Sequence, residues 1–272
     1  MTTPTPPPAH PHPKRRPHPS ALRTALLCIA LSAAACQAPQ TPPAPGCSGD
    51  SRPQPAADTV PQSAPQPARY TPTEQRLADM GLVDLQQVDS TVMVHLVYAT
   101  PDNFTGQVLY TGIRHAFMLP QLADKLAAAQ RELRALRPDL SLMVLDAARP
   151  LSVQRSMFRH VQGTPLNLYV SNPRNGPGLH NYGAAVDITL ADTSGKPVPM
   201  GSGFDWFGPE SHIDNEAALV ASGRITQAEY DNRRLLRRLM QRQGLIPFRA
   251  EWWHFNLMSR SRAQQTLKAL DF

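Results

Sequence analysis

The chain has 272 residues, of which 41% are hydrophobic, a length and composition that allow one or two folded domains with a buried core. Its formal net charge of +6 comes mainly from the front, since residues 1–35 hold four of the 27 basic residues and none of the 21 acids. Behind them 23 basic residues face 21 acids, without a glycine-rich phosphate loop or a basic, aromatic stripe. The charge of the chain therefore does not indicate a nucleic-acid partner, and we predict none.

Residues 1–36 have the order of features found in an export signal. Basic residues from Lys14 to Arg23 precede a short apolar run, Ala25–Leu31, and small residues stand directly before Cys36. The apolar run is shorter than the roughly 20 residues that span a bilayer. Small residues before a cysteine resemble the bacterial lipoprotein box, which predicts an exported, periplasmic protein anchored to a membrane only through a lipid on Cys36. Cleavage to a soluble protein and retention as a membrane anchor are the alternatives.

Residues 37–73 form a second segment of unusual composition, rich in Pro, Ala, Gln, Ser and Thr. Of the 29 prolines in the chain, 18 fall within the first 72 residues. Because such a segment cannot bury enough apolar surface to offset the entropy of ordering, we predict a disordered linker. Its Cys47 offers a disulfide to Cys36 if that cysteine carries no lipid. The folded domain is then expected over residues 74–272.

The first half of this domain is predicted to contain two strands and one long helix. Thr91–Tyr98 favours a strand by its β-branched content and alternation. Leu119–Leu136 places apolar residues at helical spacing, and Leu140–Leu145 is a continuous apolar run typical of a buried strand. Arg149 follows the end of that strand, where it could clamp an oxyanion or simply pair with Asp146.

The second half contains the clearest helix and two further strands. Thr226–Gln243 has apolar residues along one side, and Glu229 completes a capping box at its start. Ala184–Leu190 alternates as a strand does, and Arg249–Leu257 is expected to close the sheet beside it. We therefore predict an α+β fold, in which an antiparallel sheet has helices mainly on one face and a metal site on the other.

The stretch Gly178–Leu190 supplies two candidate metal ligands, His180 and Asp187. The strand alternation directs Asp187 away from the aliphatic side of the strand. His180 lies seven residues earlier, an odd separation that would put it on the wrong face of a straight strand. Gly183 permits the bend that brings the two side chains together.

A second stretch, Glu251-Trp-Trp-His-Phe255, supplies a third candidate ligand, His254, and a free carboxylate, Glu251. The aromatic residues favour an irregular strand, in which a bulge would let both side chains face one site. Taken singly, each histidine is more often a hydrogen-bonded core residue. Together with His180 and Asp187, however, His254 completes the three nitrogen and oxygen ligands of a catalytic zinc, which keeps its fourth position open for water. We therefore predict one Zn²⁺ per chain.

These motifs resemble a known group of enzymes. His180-x-x-Gly-x-Ala-x-Asp187 followed by Glu251-x-Trp-His254 is similar to the zinc peptidases of the D-alanyl-D-alanine dipeptidase and carboxypeptidase family, which have a Hedgehog/DD-peptidase-like fold. The likeness runs from about Tyr98 to Leu257. Three further blocks resemble the dipeptidase branch, namely Tyr-Ala-Thr-Pro-Asp-Asn-Phe-Thr-Gly106, Asp-Ala-Ala-Arg-Pro150 and Met-Gly-Ser-Gly-Phe-Asp205.

The resemblance implies a set of roles for these residues. They are zinc binding by His180, Asp187 and His254, general base and acid chemistry by Glu251, oxyanion stabilisation by Arg149 and binding of the substrate's free amino group by Asp205. One departure is Gly178, which stands where the family often has a serine and removes any side-chain hydrogen bond to substrate from that position. Tyr169 and Tyr182 flank the metal segment, and we predict a substrate hydrogen bond from Tyr182, with packing as the alternative.

The predicted reaction is zinc-dependent hydrolysis of a small D-amino-acid dipeptide, D-alanyl-D-alanine, in cell-wall peptidoglycan metabolism. A carboxypeptidase acting on longer wall peptides is the alternative within the same enzyme class. A zinc-containing lipoprotein that binds wall peptides without hydrolysing them is the alternative of another class. Glu251 and Arg149 argue against that binder, since binding alone requires neither residue.

Overall fold

The computed structural model describes residues 69–272, so the predicted export segment 1–36 and nearly all of the predicted linker 37–73 lie outside the described residues. Over this range no helix combines the length and the apolarity needed to cross a bilayer. The helices are α1 (Pro72–Asp79), α2 (Leu85–Val88), α3 (Pro120–Leu136), α4 (Leu151–Val161), α5 (Glu216–Ala221), α6 (Gln227–Arg242) and α7 (Arg260–Thr266). The strands are β1 (Val83–Asp84), β2 (Met93–Val94), β3 (Phe117–Met118), β4 (Leu140–Asp146), β5 (Ala185–Asp192), β6 (Ile246–Phe248) and β7 (Glu251–Asn256).

The larger sheet has five strands in the order β2-β4-β5-β7-β6, and β1 pairs with β3 in a separate small sheet. The predicted α+β class is confirmed. The larger sheet is mixed rather than wholly antiparallel. Its edge strand β2 runs parallel to β4, and all other neighbouring strands of this sheet are antiparallel. The connection from β2 to β4 passes through α3, which is the kind of crossover that parallel neighbours require.

The main core lies between this sheet and the helices α3 and α6. Alternate residues of β4 and β5, including Leu142, Val144, Val186 and Ile188, are fully buried in it. Asp187 stands between two of these residues in β5, so its side chain projects from the opposite face of the sheet. The sheet therefore separates the hydrophobic core from the face on which the candidate site lies.

Two helices begin with capping boxes. In α6 the hydroxyl of Thr226 accepts from the backbone N–H of Glu229, as expected from the sequence. In α1 Thr71 and Glu74 make the same exchange, so the first helix begins at Pro72, two residues before the expected start of the domain. The fully buried Glu74 carboxylate also accepts from the backbone N–H groups of Arg114 and His115, which ties α1 to the body of the domain.

Candidate active site

His180 is presented by a short 3-10 turn, Leu179–Tyr182, that directly precedes β5. The chain reverses at Gly183, whose φ of 64° is the left-handed conformation that favours glycine. A Cβ at this position would lie 2.6 Å from Cδ2 of Leu82, so the bend is also closely packed. The bend expected between the two ligands is thus present, and it places His180 Nε2 3.4 Å from Oδ2 of Asp187.

The β5–β7 ladder positions the third candidate ligand. Asp187 and His254 are register partners, and Oδ1 of Asp187 lies 2.9 Å from Nδ1 of His254. His180 Nε2 is 3.2 Å from the same nitrogen. One ligand atom from each residue lies within 4.8 Å of the others, which is the spacing of groups that can share a single metal ion.

The chemistry of this donor set fits zinc. His180 donates its Nδ1–H to the backbone carbonyl of Ala147 at 2.7 Å, which leaves Nε2 as its metal-binding atom. His254 donates Nε2–H to Oδ1 of Asn256 at 2.8 Å, which leaves Nδ1. Hydrogen bonds of this kind fix the tautomer and the ring orientation of zinc-ligating histidines. Two nitrogens and one carboxylate oxygen are a known ligand set for catalytic zinc.

Glu251 begins β7 three residues before His254, and its Oε2 is 3.8 Å from His254 Nδ1. The β6–β7 register shifts between Pro247 and Phe248, which is the irregularity expected from the sequence. Desolvation in the cavity raises the pKa of Glu251 to about 7, and the carboxylates of Asp187 and Asp205 add to this effect against His254 and Arg149. Its carboxyl group lies close to the three candidate ligands and is not one of that cluster.

Arg149 pairs with Asp146, one of the two possibilities offered by the sequence, and it also lines the cavity that holds the candidate ligands. Its Nε and Nη2 donate to Oδ2 of the fully buried Asp146 at 3.0 and 2.5 Å, while Nη1 donates to Gln154 at 2.9 Å. The hydroxyl of Tyr110 donates to the other Asp146 oxygen at 2.5 Å. Nη2 of Arg149 also lies 3.8 Å from Oδ2 of Asp187. The pairing with Asp146 thus holds the guanidinium in one orientation beside the candidate metal ligands.

Asp205 lies in the same cavity and contacts Tyr98, a residue to which the sequence motifs assign no role. The hydroxyl of Tyr98 approaches both carboxylate oxygens, at 3.1 and 2.9 Å. Desolvation raises the pKa of Asp205 to about 8, opposed by the Tyr98 hydrogen bond and by Arg149. The only indication of Tyr98 in the sequence is its position as the first residue of the Tyr-Ala-Thr-Pro-Asp block.

Tyr182 does not take the predicted position. It is 5% exposed and packs in a small apolar cluster with Ala184 and Ala263, outside the lining of the cavity. As the last residue of the 3-10 turn, its side chain is directed into this cluster instead of toward the ligands. Tyr169 does line the cavity, where its ring stacks on Phe207 with centroids 5.2 Å apart.

The remaining candidate residues share one cavity of about 610 Å³, a volume typical of small-molecule sites. It is lined by Arg149, Gly178, His180, Asp187, Asp205, Glu251 and His254, together with Tyr98 and Tyr169. A three-ligand cluster with a free carboxylate beside it is the arrangement of a mononuclear metallopeptidase.

A family model described as D-ala-D-ala dipeptidase matches residues 78–270, and the chain belongs to this family. A D-alanyl-D-alanine dipeptidase of Escherichia coli (strain K12) is 33% identical over 179 residues, which cover 65% of this chain and 84% of that protein. A D-alanyl-D-alanine dipeptidase of Enterococcus faecalis (strain ATCC 700802 / V583) is 32% identical over 194 residues, covering 65% of this chain and 92% of that protein. The family predicted from the motifs is thereby confirmed.

Proposed function

We propose that the protein hydrolyses D-alanyl-D-alanine with a zinc ion bound by His180, Asp187 and His254. The observation that carries this proposal is the convergence of these three side chains with Glu251, Arg149 and Asp205 on one cavity. The names of the similar dipeptidases support the choice of substrate. Zinc bound there would act as a Lewis acid that polarises the scissile carbonyl and lowers the pKa of water.

Glu251 is the proposed proton carrier. Its position 3.8 Å from His254 Nδ1 lets it accept a proton from the attacking water and return that proton to the leaving amine. A carboxylate that is not a metal ligand stays free to make both transfers.

Arg149 is the proposed stabiliser of the developing oxyanion. Its guanidinium is oriented before the reaction by Asp146 and Gln154, so little reorganisation is needed when negative charge appears on the substrate oxygen. Burial alone would lower the pKa of Arg149, but the Asp146 carboxylate and other neighbouring groups raise it well above its usual range. The guanidinium therefore stays positively charged.

Asp205 and Tyr98 are the proposed site for the substrate's ammonium group. A free dipeptide carries this charge on the residue next to the scissile bond. A longer peptide carries its ammonium group farther from that bond, and an acylated dipeptide carries none. A carboxylate held by a hydroxyl in a desolvated cavity gains from such a partner. This arrangement favours a dipeptidase over a carboxypeptidase.

The test compares hydrolysis of D-Ala-D-Ala, N-acetyl-D-Ala-D-Ala and the L,D- and L,L-dipeptides by zinc-loaded protein. We expect rapid release of D-alanine from the free D,D-dipeptide only. Faster cleavage of the acetylated substrate would identify a carboxypeptidase instead. An absence of turnover in fully zinc-loaded protein would favour the binding protein.

We also propose that the protein is exported and carries a lipid on Cys36. The order of basic residues, apolar run and small residues before this cysteine supports the proposal. Metabolic labelling with a fatty acid should label the protein that retains Cys36 and leave a Cys36→Ala variant unlabelled. Equal labelling of the two proteins, or recovery of the protein with Cys36 in the cytosolic fraction, would contradict the proposed lipidation and export.

A further inference from the structure

An arginine of α6, Arg233, forms hydrogen bonds to the segment that leads to Asp205. Arg233 is 1% exposed, and its Nε–H donates to the backbone carbonyl of Met200. Its Nη2 donates to Oγ of Ser202 at 3.4 Å. A fully buried cation thus contacts the chain three and five residues before the carboxylate that faces the cavity.

The same group of contacts extends to β7. The indole N–H of Trp252 donates to Oγ of Ser202 at 2.9 Å, and the guanidinium of Arg233 lies 5.6 Å from the centre of the Trp252 ring. Trp252 follows Glu251 in sequence and precedes Trp253, whose ring packs on Phe204 at 5.4 Å. The strand that carries Glu251 and His254 is therefore joined to the Asp205 segment through Ser202.

The backbone of this segment has little freedom to move. Gly201 has a φ of 84°, and a Cβ there would lie 2.6 Å from Cγ2 of Ile225 and 3.2 Å from Nη2 of Arg233. Asp205, with a φ of 56°, is the one non-glycine residue in the left-handed region between residues 69 and 272. Such a conformation persists only when its surroundings determine it.

Stability alone does not explain Arg233. Its Nη1 and the Oε1 of Glu216 are both buried without a hydrogen-bond partner in the described part of the chain, at a separation of 3.7 Å. The other oxygen of Glu216 pairs with Arg237 at 2.6 Å. A buried charge with an unmet donor usually costs stability relative to an apolar side chain of similar size. Another benefit is needed to account for an arginine here.

We infer that Arg233 is a positioning residue for recognition of the substrate's amino group. By fixing Met200 and Ser202 against Trp252, it sets the place of Asp205 relative to the strand that carries Glu251 and His254. The inference rests on the proposed function, because it assigns Arg233 to the binding of the dipeptide's ammonium group. It acts through Asp205 and has no contact with the reacting atoms.

The test uses the zinc-loaded protein with Arg233→Met, Arg233→Lys and, as a matched control, Arg238→Met at an exposed position of α6. We expect Arg233→Met to raise KM for D-Ala-D-Ala about tenfold while kcat falls much less, with zinc content unchanged. Lysine should restore part of the loss, and Arg238→Met should behave as the unmodified protein. Binding of D-Ala-D-Ala to Glu251→Gln protein, measured by calorimetry, should weaken by the same factor when Arg233→Met is added.

Three results separate the possible failures. An unchanged KM and Kd in soluble Arg233→Met protein would overturn the inference alone, provided that the unmodified protein hydrolyses D-Ala-D-Ala. Absence of binding and hydrolysis in the unmodified protein would remove the proposed function and this inference together. If Arg233→Met does not fold, Ser202→Ala removes the shared hydrogen-bond acceptor instead, and an unchanged KM in that variant would also overturn the inference.

Discussion

Asp187 and His254 face each other as register partners in β5 and β7, with Oδ1 and Nδ1 2.9 Å apart. Directly opposed residues of an antiparallel pair have closely spaced Cβ atoms, so the ladder itself brings these two side chains together. Only His180 must be delivered from outside the ladder, by the turn that ends at Gly183. The candidate metal position is therefore determined mainly by the central strands of the sheet.

Asn256 should influence metal affinity without being a ligand. Its Oδ1 accepts from His254 Nε2 at 2.8 Å and orients the ring. Asn256→Ala is expected to weaken zinc binding about 10–100-fold, as changes to such supporting groups typically do. Competition with a chromogenic chelator measures the change, with Asn167→Ala at an exposed position as the control. Identical zinc affinities in both variants would show that Asn256 does not support the ligand.

Glu251→Gln should separate metal binding from hydrolysis. Glutamine keeps the size of the side chain but cannot shuttle a proton, so kcat should fall about 10²–10⁴-fold. Because Glu251 is not one of the three ligands, zinc content should stay at one ion per chain. Kinetics and metal analysis on the same sample check both parts, with Asp124→Asn at an exposed position of α3 as the control. Near-normal turnover would remove Glu251 from its proposed role.

Arg149→Lys tests whether the guanidinium fork is required. Lysine keeps the positive charge but cannot donate simultaneously to Asp146 and Gln154 in the same geometry. We expect kcat to fall about 10²–10³-fold, the usual loss when an oxyanion donor is removed. Arg131→Lys, at an exposed position of α3, should leave kcat unchanged. If both variants retain full activity, charge alone is sufficient at position 149.

Two tyrosines provide a matched comparison. Tyr98→Phe removes the hydroxyl whose hydrogen bond lowers the pKa of Asp205, so less of that carboxyl group is ionised to pair with the ammonium and KM should rise about tenfold. Tyr182→Phe should leave KM unchanged, because Tyr182 packs outside the cavity. Initial-rate kinetics on D-Ala-D-Ala distinguish the two. A larger effect at Tyr182 would restore the substrate contact expected from the sequence.

Glu74 should make stability depend on pH in the acid range. Burial raises the pKa of its carboxyl group, but hydrogen bonds from Thr71, Arg114 and His115 outweigh that effect and hold it below the ordinary value of 4.5. The stabilisation is therefore complete above about pH 4.5 and is lost as the pH falls through the folded-state pKa.

The Glu74→Gln variant isolates this contribution. We expect its free energy of unfolding to be about 1–3 kcal/mol lower near neutral pH, because buried backbone donors lose a charged acceptor. The difference from the unmodified protein should shrink on acidification. Urea unfolding at several pH values measures it, and a difference that stays constant or grows in acid would contradict the assignment.

Local spacing was enough to predict the central features of the site. Strand alternation indicated the face of Asp187, the glycine indicated the bend after His180, and the aromatic run indicated an irregular strand at Glu251. Each of these inferences depends on residues within one short segment. For the same reason the long helices α3 and α6 were predicted almost to the residue.

Contacts between distant segments were not predictable in this way. Tyr98 and Asp205 are 107 positions apart, and no periodicity in either segment indicates that they meet. Arg233 is buried, although basic residues along a helix are usually solvated, as Arg234, Arg238 and Arg242 are in the same helix. The strand predicted over Thr91–Tyr98 is wrong in extent, because only Met93–Val94 pairs with β4, in parallel, and Val97–Ala99 is a 3-10 turn.

The attachment of α1 has a practical consequence for shortened versions of the protein. The family match begins at residue 78, yet Thr71 donates to the carbonyl of Gly112 and Glu74 accepts from Arg114 and His115. Truncation at the family boundary would remove these partners and expose apolar surface around Leu77, which is fully buried. Expression of the catalytic unit for crystallisation or screening should therefore start ahead of Tyr70, even though comparison with relatives alone would suggest a later first residue.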